Sequence, residues 1–249
     1  MDGIGLKLER WIEHINSMNN EINLQNFSGK LPLFPLPNVV LFPNTLLHLH
    51  IFEKRYRRML RDSLQGERMI GMAVLKPGWE EHYSGNPDIY PNACLGTILK
   101  HEPLADGKSN ILLLGLKRVR IKDIISPRPY RTAAVEVMED SAEGLSKLEA
   151  RQLRREMLER YGEWVIEFAG SGRKHPTLSN ARLGLGSLTD ALAAGIGLPI
   201  EDLVRLLEEV RIGRRAQFLL KRMEEMIRRG GPVLSHEPLP TAFPHISLN

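Results

Sequence analysis

The segment Leu31-Pro-Leu-Phe-Pro-Leu-Pro-Asn-Val-Val-Leu-Phe-Pro43 constrains this chain more than any other stretch. Four prolines stand among bulky apolar residues. Each fixes φ and removes a backbone donor, so no helix survives there. The composition predicts an extended edge segment leading into a short strand at 39–42.

The residues after it keep that texture. Leu46–Ile51 alternates, with His48 and His50 on one side and Leu47, Leu49 and Ile51 on the other, as a strand requires. The period then switches to about 3.6. Phe52, Tyr56, Met59, Leu60 and Leu64 are interleaved with Arg55, Arg57, Arg58 and Arg61, which predicts a one-sided surface helix over 53–65 ending near Gly66. Met69–Leu75 is a short apolar strand, followed by a long loop over 76–93. Segments 94–101 and 111–121 flank Asp106-Gly107, a strong hairpin signal, and 130–137 reads as one more strand.

Beyond residue 143 the period is helical. Leu153, Met157, Tyr161, Trp164, Val165 and Phe168 form one stripe ended by Gly170-Ser-Gly172. Leu188, Ala191 and Leu192 mark a short helix, and Leu203, Leu206, Leu207 and Val210 a second that opens near Pro199. A last helix carries Ala216, Leu219, Leu220, Met223 and Ile227 and stops at Gly230-Gly231-Pro232. The expected organisation is an N-terminal extension at 1–30 with a short amphipathic helix at 4–18, a β-rich region at 31–143, a helical region at 144–229 and a flexible proline-rich tail at 230–249. The fold class is α+β.

Composition removes several function classes. The single Cys94 excludes a disulfide framework and any multi-cysteine zinc module, and it is read as a reduced, buried, inert thiol. No run approaches the ~18 apolar residues needed to span a bilayer, and Asp2, Glu9, Arg10 and Glu13 interrupt any signal-peptide core. The chain is read as soluble and cytoplasmic. The net charge of +4 divides as −1, +2, +4 and −1 over 1–30, 31–146, 147–229 and 230–249, a mild excess that permits an anionic partner without demanding one.

Catalytic patterns are missing. Gly170-Ser-Gly-Arg-Lys174 lacks the second glycine and hydroxyl of a phosphate-cradling loop. His101-Glu-Pro-Leu104 and His236-Glu-Pro-Leu239 begin like a zinc-protease helix, but proline interrupts each and neither has histidine at the fifth position. His48 and His50 face one way without a third ligand. No Gly-x-Ser-x-Gly elbow surrounds Ser171, Ser179 or Ser187. Catalytic residues, metal and cofactor are therefore all set at none.

Three features are left to bind something. The arginine-rich helix 53–65 reads first as a solvated face, because Glu53 and Asp62 are interspersed, and second as a contact for nucleic acid or an acidic protein. A basic set from Arg211 to Arg229 reads as a polar helix face. The long loop offers Trp79, Tyr83 and Tyr90, aromatics of the kind that anchor interfaces or fold a loop back onto its body.

The order of these segments resembles a known family. Leu31 to Pro43, then Leu49-His-Ile-Phe-Glu53 with Arg55-Tyr56 and Met59, is similar to the opening of the Lon protease N-terminal domain, and closest to its free-standing bacterial version. Gly96-Thr-Ile98, Asp106-Gly107, Gly115-Leu-Lys-Arg118 with Val119 and Ile121, and Tyr130 with Ala133 and Val135 resemble its later strands. Leu188-Thr-Asp190 and the stretch from Leu206-Leu207 to Arg215 resemble its helical half. The similarity spans about 31–225. Asn44 replaces the family's usual glycine after Phe-Pro, a tolerable change because Asn enters the left-handed region readily.

The resemblance implies a PUA-like pseudo-barrel beside a small helical bundle. It further implies recognition of unfolded or partner proteins, with no ATPase or peptidase in this chain. The loop aromatics Trp79, Tyr83 and Tyr90, read from the loop's own composition, are the candidate protein contacts. Two rivals stand beside it. One is an RNA-binding module, which the charge allows but does not favour, and the other is an adaptor holding a small molecule. No membrane partner is foreseen, and no oligomeric state follows from these residues.

Overall fold

The computed structural model describes residues 24, 27–82, 86–168 and 183–230. They fall into two compact units. One comprises the described residues of Leu24–Glu139 together with Ile200–Glu208. The other comprises those of Asp140–Pro199 together with 209–230. The expected helix at 4–18 and the tail beyond 230 lie outside the described residues.

The first unit is built from strands β1 (Lys30–Leu36), β2 (Leu46–Ile51), β3 (Met69–Leu75), β4 (Ile89–Pro103), β5 (Ser109–Ser126) and β6 (Thr132–Met138), with helix α1 (Lys54–Gln65) between β2 and β3. The sheet order is β2-β5-β4-β3-β1-β6, and β6 pairs back onto β5. Five strands thus close into a ring, β1-β3-β4-β5-β6, in which only the β1–β3 pair is parallel. Closure leaves these strands few free edges. Register shifts at Leu95/Gly96, Ile98/Lys100 and Ile121/Asp123 mark the irregularities that bend long strands round such a ring.

The proline-rich segment behaves otherwise than its composition predicts. The strand is Lys30–Leu36, which contains Pro32 and Pro35, while 39–42 joins no ladder. The pairing supplies the reason. β1 pairs with β6 through Lys30–Pro32 and with β3 through Leu33–Leu36, so on either side of the changeover at Leu33 each half commits only one side to a neighbour. Each proline sits in what is locally an edge. The loop after β3 is likewise shorter than predicted, because Ile89 already pairs with Leu75.

β5 switches partners along one edge. Ser109–Leu114 faces β2 and Arg118–Ser126 faces β6. Gly115 lies at the switch. Its N–H donates to Thr45 O at 2.9 Å and its carbonyl accepts from Asn44 N–H at 2.8 Å. A Cβ there would run into the Phe42 carbonyl, so no other residue fits. The turn delivering that carbonyl has Pro43 and Asn44 at its centre, closed by Thr45 N–H to Phe42 O at 3.2 Å, and Asn44 takes φ +61°. The left-handed conformation anticipated at Asn44 is the one observed.

α1 buries Tyr56, Met59, Leu60 and Ser63 and leaves Arg58 and Arg61 exposed, the amphipathic pattern read from the sequence. The Asp106-Gly107 hairpin also forms. Gly107 has φ +76°, and Lys108 N–H donates to Asp106 Oδ1 at 3.1 Å. Helix α4 (Ile200–Glu208) groups with this unit and packs on β4, burying Val204, Leu206 and Leu207. Arg118, 1% exposed, donates from Nη2 to the Leu206 carbonyl at 3.4 Å, which places positive charge at the negative end of the helix.

The second unit packs α2 (Lys147–Phe168), α3 (Leu185–Gly195) and α5 (Ile212–Arg229) on one another. α2 opens on a capping box: Glu149 N–H donates to Ser146 Oγ at 3.2 Å, and Ser146 N–H to Glu149 Oε2 at 2.8 Å. Met157, Tyr161 and Trp164 form its buried stripe. α5 ends at Gly230, whose N–H reaches the Met226 and Ile227 carbonyls, so the predicted stop falls where expected. A strand-rich α+β unit and packed helices are therefore both present, in the predicted fold class.

Candidate binding cleft

The three aromatic candidates lie in or beside the connection between β3 and β4. Lys76 N–H donates to Asp88 O at 2.8 Å, tying the two ends of this loop together. Trp79 opens a single 3-10 turn, Trp79–His82, and is half-buried. Tyr90 is the second residue of β4, also half-buried. Tyr83 lies outside the described residues. Topology thus brings Trp79 and Tyr90 to the same end of one hairpin.

A cleft of about 300 Å³ opens at the mouth of the strand ring, and neither aromatic lines it. Its walls come from the ends of β1 and β3 (Pro35 and Leu75), the descending loop limb Asn86-Pro87, the N-terminus of α1 and the β5–β6 connection from Pro127 to Arg131. Three arginines converge on it: Arg55, Arg128 and Arg131.

Each arginine is held differently. The Arg131 carbonyl accepts from Leu33 N–H at 2.8 Å, which fixes its backbone against β1. Its side chain is 8% exposed, and Nη2 donates to Pro87 O at 2.5 Å while Nε donates to Asn86 Oδ1 at 3.3 Å. Burial pushes its pKa down, Tyr56 and Asp88 oppose that shift, and the Arg55 charge adds to it. Arg55 donates from Nε to Glu53 Oε2 at 3.0 Å and lies 4.6 Å over the Tyr56 ring. Tyr56 in turn packs on Phe34 with ring centroids 4.4 Å apart. Arg128 is exposed and has no ion-pair partner among the described residues.

Tyr130 closes one side. Its hydroxyl donates to Asp62 Oδ2 at 2.9 Å, linking the β5–β6 connection to α1. Desolvation first, then this acceptor, pushes its phenol up to about 12.

Sequence reasoning placed Arg55 within the arginine-rich helix but missed the cleft. The available signal was Pro127-Arg-Pro-Tyr-Arg131, where stiff prolines alternate with groups that bind anions. The histidines are placed as the alternation predicts. His48 and His50 are both exposed, and His50 Nδ1 is 2.8 Å from Asn110 Oδ1. Among the described residues no group of three or more His, Cys, Asp or Glu is placed to hold a metal ion, and no helix is long and apolar enough to cross a membrane.

A closed strand unit and a set of packed helices make up a Lon-type N-terminal fold. Solved structures of similar fold include the Lon N-terminal domain protein from Xanthomonas campestris, with TM-score 0.56 and 23% identity over 77% of this chain and 97% of that one. The N-terminal domain of the Mycobacterium avium complex Lon protease matches with TM-score 0.55 and 18% identity, over 79% of this chain and 98% of that one. Residues 30–225 match the family described as the ATP-dependent protease La (LON) substrate-binding domain, and the chain belongs to that family.

Among curated relatives, the Lon protease of Anaeromyxobacter dehalogenans is 26% identical over 220 residues, covering 83% of this chain and 25% of that protein. Lon protease 2 of Herpetosiphon aurantiacus is 30% identical over 209 residues, covering 84% of this chain and 24% of that protein. The chain thus spans about a quarter of the length of these relatives.

Proposed function

We propose that this chain is a non-catalytic protein-recognition module of the cytoplasm, binding unfolded or partner proteins in the service of proteolysis without hydrolysing ATP or peptide bonds itself. The observation that carries this reading is the substrate-binding family match across 30–225. Exposed apolar side chains in the strand unit support it: Phe52 is 56% exposed, Ile125 48% and Ile124 38%. Unfolded segments offer complementary apolar groups, so capture is weak, broad and driven by burial of apolar area. Trp79, Tyr83 and Tyr90 are the side chains we assign to that contact.

The test is capture of a chemically denatured, soluble protein by the purified chain at low and high salt. Retention at high salt supports apolar recognition, since salts strengthen effective burial. A steep fall with salt, with RNA binding in its place, overturns the reading, because phosphate contacts release counterions. Alanine at Trp79, Tyr83 and Tyr90 is expected to weaken capture with the fold intact. Unchanged capture overturns the assignment of those three.

A further inference from the structure

Arg131 carries a positive charge into a setting with little to offset it. Its side chain is 8% exposed, yet both its hydrogen bonds go to neutral acceptors, Pro87 O and Asn86 Oδ1. A buried charge is costly unless an opposite charge meets it. Nη1 has no acceptor among the described residues. Arg128 adds a second guanidinium, carried between Pro127 and Pro129, whose rings restrict the backbone beneath it. Arg55 brings a third, though Glu53 already offsets it at 3.0 Å.

The acids nearby are otherwise occupied or single. Asp62 accepts from the Tyr130 hydroxyl and lies 3.7 Å from Arg58. Asp88 acts on Arg131 at longer range, as its pull on that group indicates. With Glu53 spent on Arg55 and Asp62 on Arg58, two guanidinia face the cleft against one carboxylate. The residual charge matches a monoanion better than a dianionic phosphate. A guanidinium presents its donors in a planar fork, which suits the two oxygens of a carboxylate. The volume of about 300 Å³ is at the lower end for a ligand site, room for the end of one residue rather than a run of nucleotides. Tyrosine rings and prolines supply flat walls for aliphatic stems.

We propose that the cleft between Arg55, Arg128 and Arg131 is a carboxylate-binding site, engaging a carboxylate carried by the bound protein, whether an Asp or Glu side group or the terminal carboxyl of the polypeptide. This deepens, and rests on, the protein-recognition reading. It adds a polar selector to an otherwise apolar contact.

The experiment uses the whole protein and three dye-labelled peptides of one neutral sequence: C-terminally amidated, free at the C-terminus, and amidated with one internal glutamate. Binding is read by fluorescence anisotropy. Roughly tenfold tighter binding of a carboxylate-bearing peptide than of the neutral one is expected, from the strength of charge-assisted pairs. Whichever carboxylate peptide gains identifies the source. Arg128→Ala, at an exposed position, is expected to remove most of the gain without unfolding the protein, and acetate is expected to compete at least as well as inorganic phosphate.

Equal binding of all three peptides, an Arg128→Ala variant that discriminates as before, or phosphate competing far better than acetate overturns the proposal. Capture of denatured protein that persists while the peptides bind alike removes the cleft and leaves protein recognition standing. Carboxylate discrimination without any such capture does the reverse.

Discussion

Arg215 Nε lies 3.6 Å from Asp190 Oδ1, and neither side chain is more than 2% exposed. The same guanidinium grips Asp140 with two hydrogen bonds, Nη1 to Oδ1 at 2.8 Å and Nη2 to Oδ2 at 2.6 Å. Nη1 also donates to the carbonyls of Glu209 at 2.9 Å and Val210 at 3.2 Å. One side chain on α5 thereby joins α3, the segment before α2 and the turn leading into α5 itself. Leu188-Thr-Asp190 and the stretch ending at Arg215, two of the motifs that carried the family resemblance, meet at this ion pair.

Removing one partner of a buried pair strands the other. Arg215→Ala is expected to destabilise the helical unit by about 3–5 kcal/mol. Replacing Arg215 by methionine and Asp190 by leucine together should cost much less, because no charge is left buried alone. Urea unfolding followed by circular dichroism measures both, and equal losses would contradict the account.

Gly115 and Gly162 should respond to alanine with opposite signs. A Cβ at Gly115 meets the Phe42 carbonyl, which is backbone and cannot swing away, so a loss of at least ~1–3 kcal/mol is expected. At Gly162, within α2, a Cβ meets nothing within 4 Å, and a gain of about 0.5–1 kcal/mol is expected from helix propensity. Paired denaturation curves test the signs directly.

Asn44 holds φ +61° in the turn that feeds Gly115. Alanine there is expected to cost about 1–2 kcal/mol, since a left-handed conformation brings its Cβ against the carbonyl that follows. Glycine, which carries no such penalty, should leave stability closer to that of the parent protein. A melting comparison of the two variants distinguishes conformational strain from loss of the amide side chain.

Two phenols should resist alkali. Burial pushes Tyr161 up to about 12, and burial with Asp62 as acceptor pushes Tyr130 to about 12, against an ordinary 10. The fold disfavours the phenolate, so this contribution to stability is fully present below pH 10 and is lost as pH climbs through about 12. Absorbance titration should show Tyr130 and Tyr161 ionising late, and Tyr161→Phe should flatten the alkaline loss of stability. A Tyr130 or Tyr161 phenol titrating near pH 10 would refute it.

Cys94 is fully buried on β4, close to the space a Gly115 side chain would need. Thiol reagents should leave it untouched in the native protein and modify it stoichiometrically in denaturant. Rapid native modification would mean that the ring opens there.

Local periodicity was enough to place β2, β3, α1 and the helices of 147–229, because apolar spacing of two or 3.6 reports directly which side of an element is buried. It was also enough for the Asp106-Gly107 turn and for the left-handed Asn44, since both are consequences of one residue's own backbone preferences. It failed at Pro32 and Pro35. Whether a proline is tolerated in a strand depends on which neighbour needs a donor at that point, and β1 changes neighbour midway. The grouping of α4 with the strand unit, the burial of Arg118 against the Leu206 carbonyl and the convergence of Arg55, Arg128 and Arg131 on one cleft were decided only by the tertiary structure. Those residues lie up to 88 positions apart, and no local period carries information about which distant backbone or charge will arrive beside them.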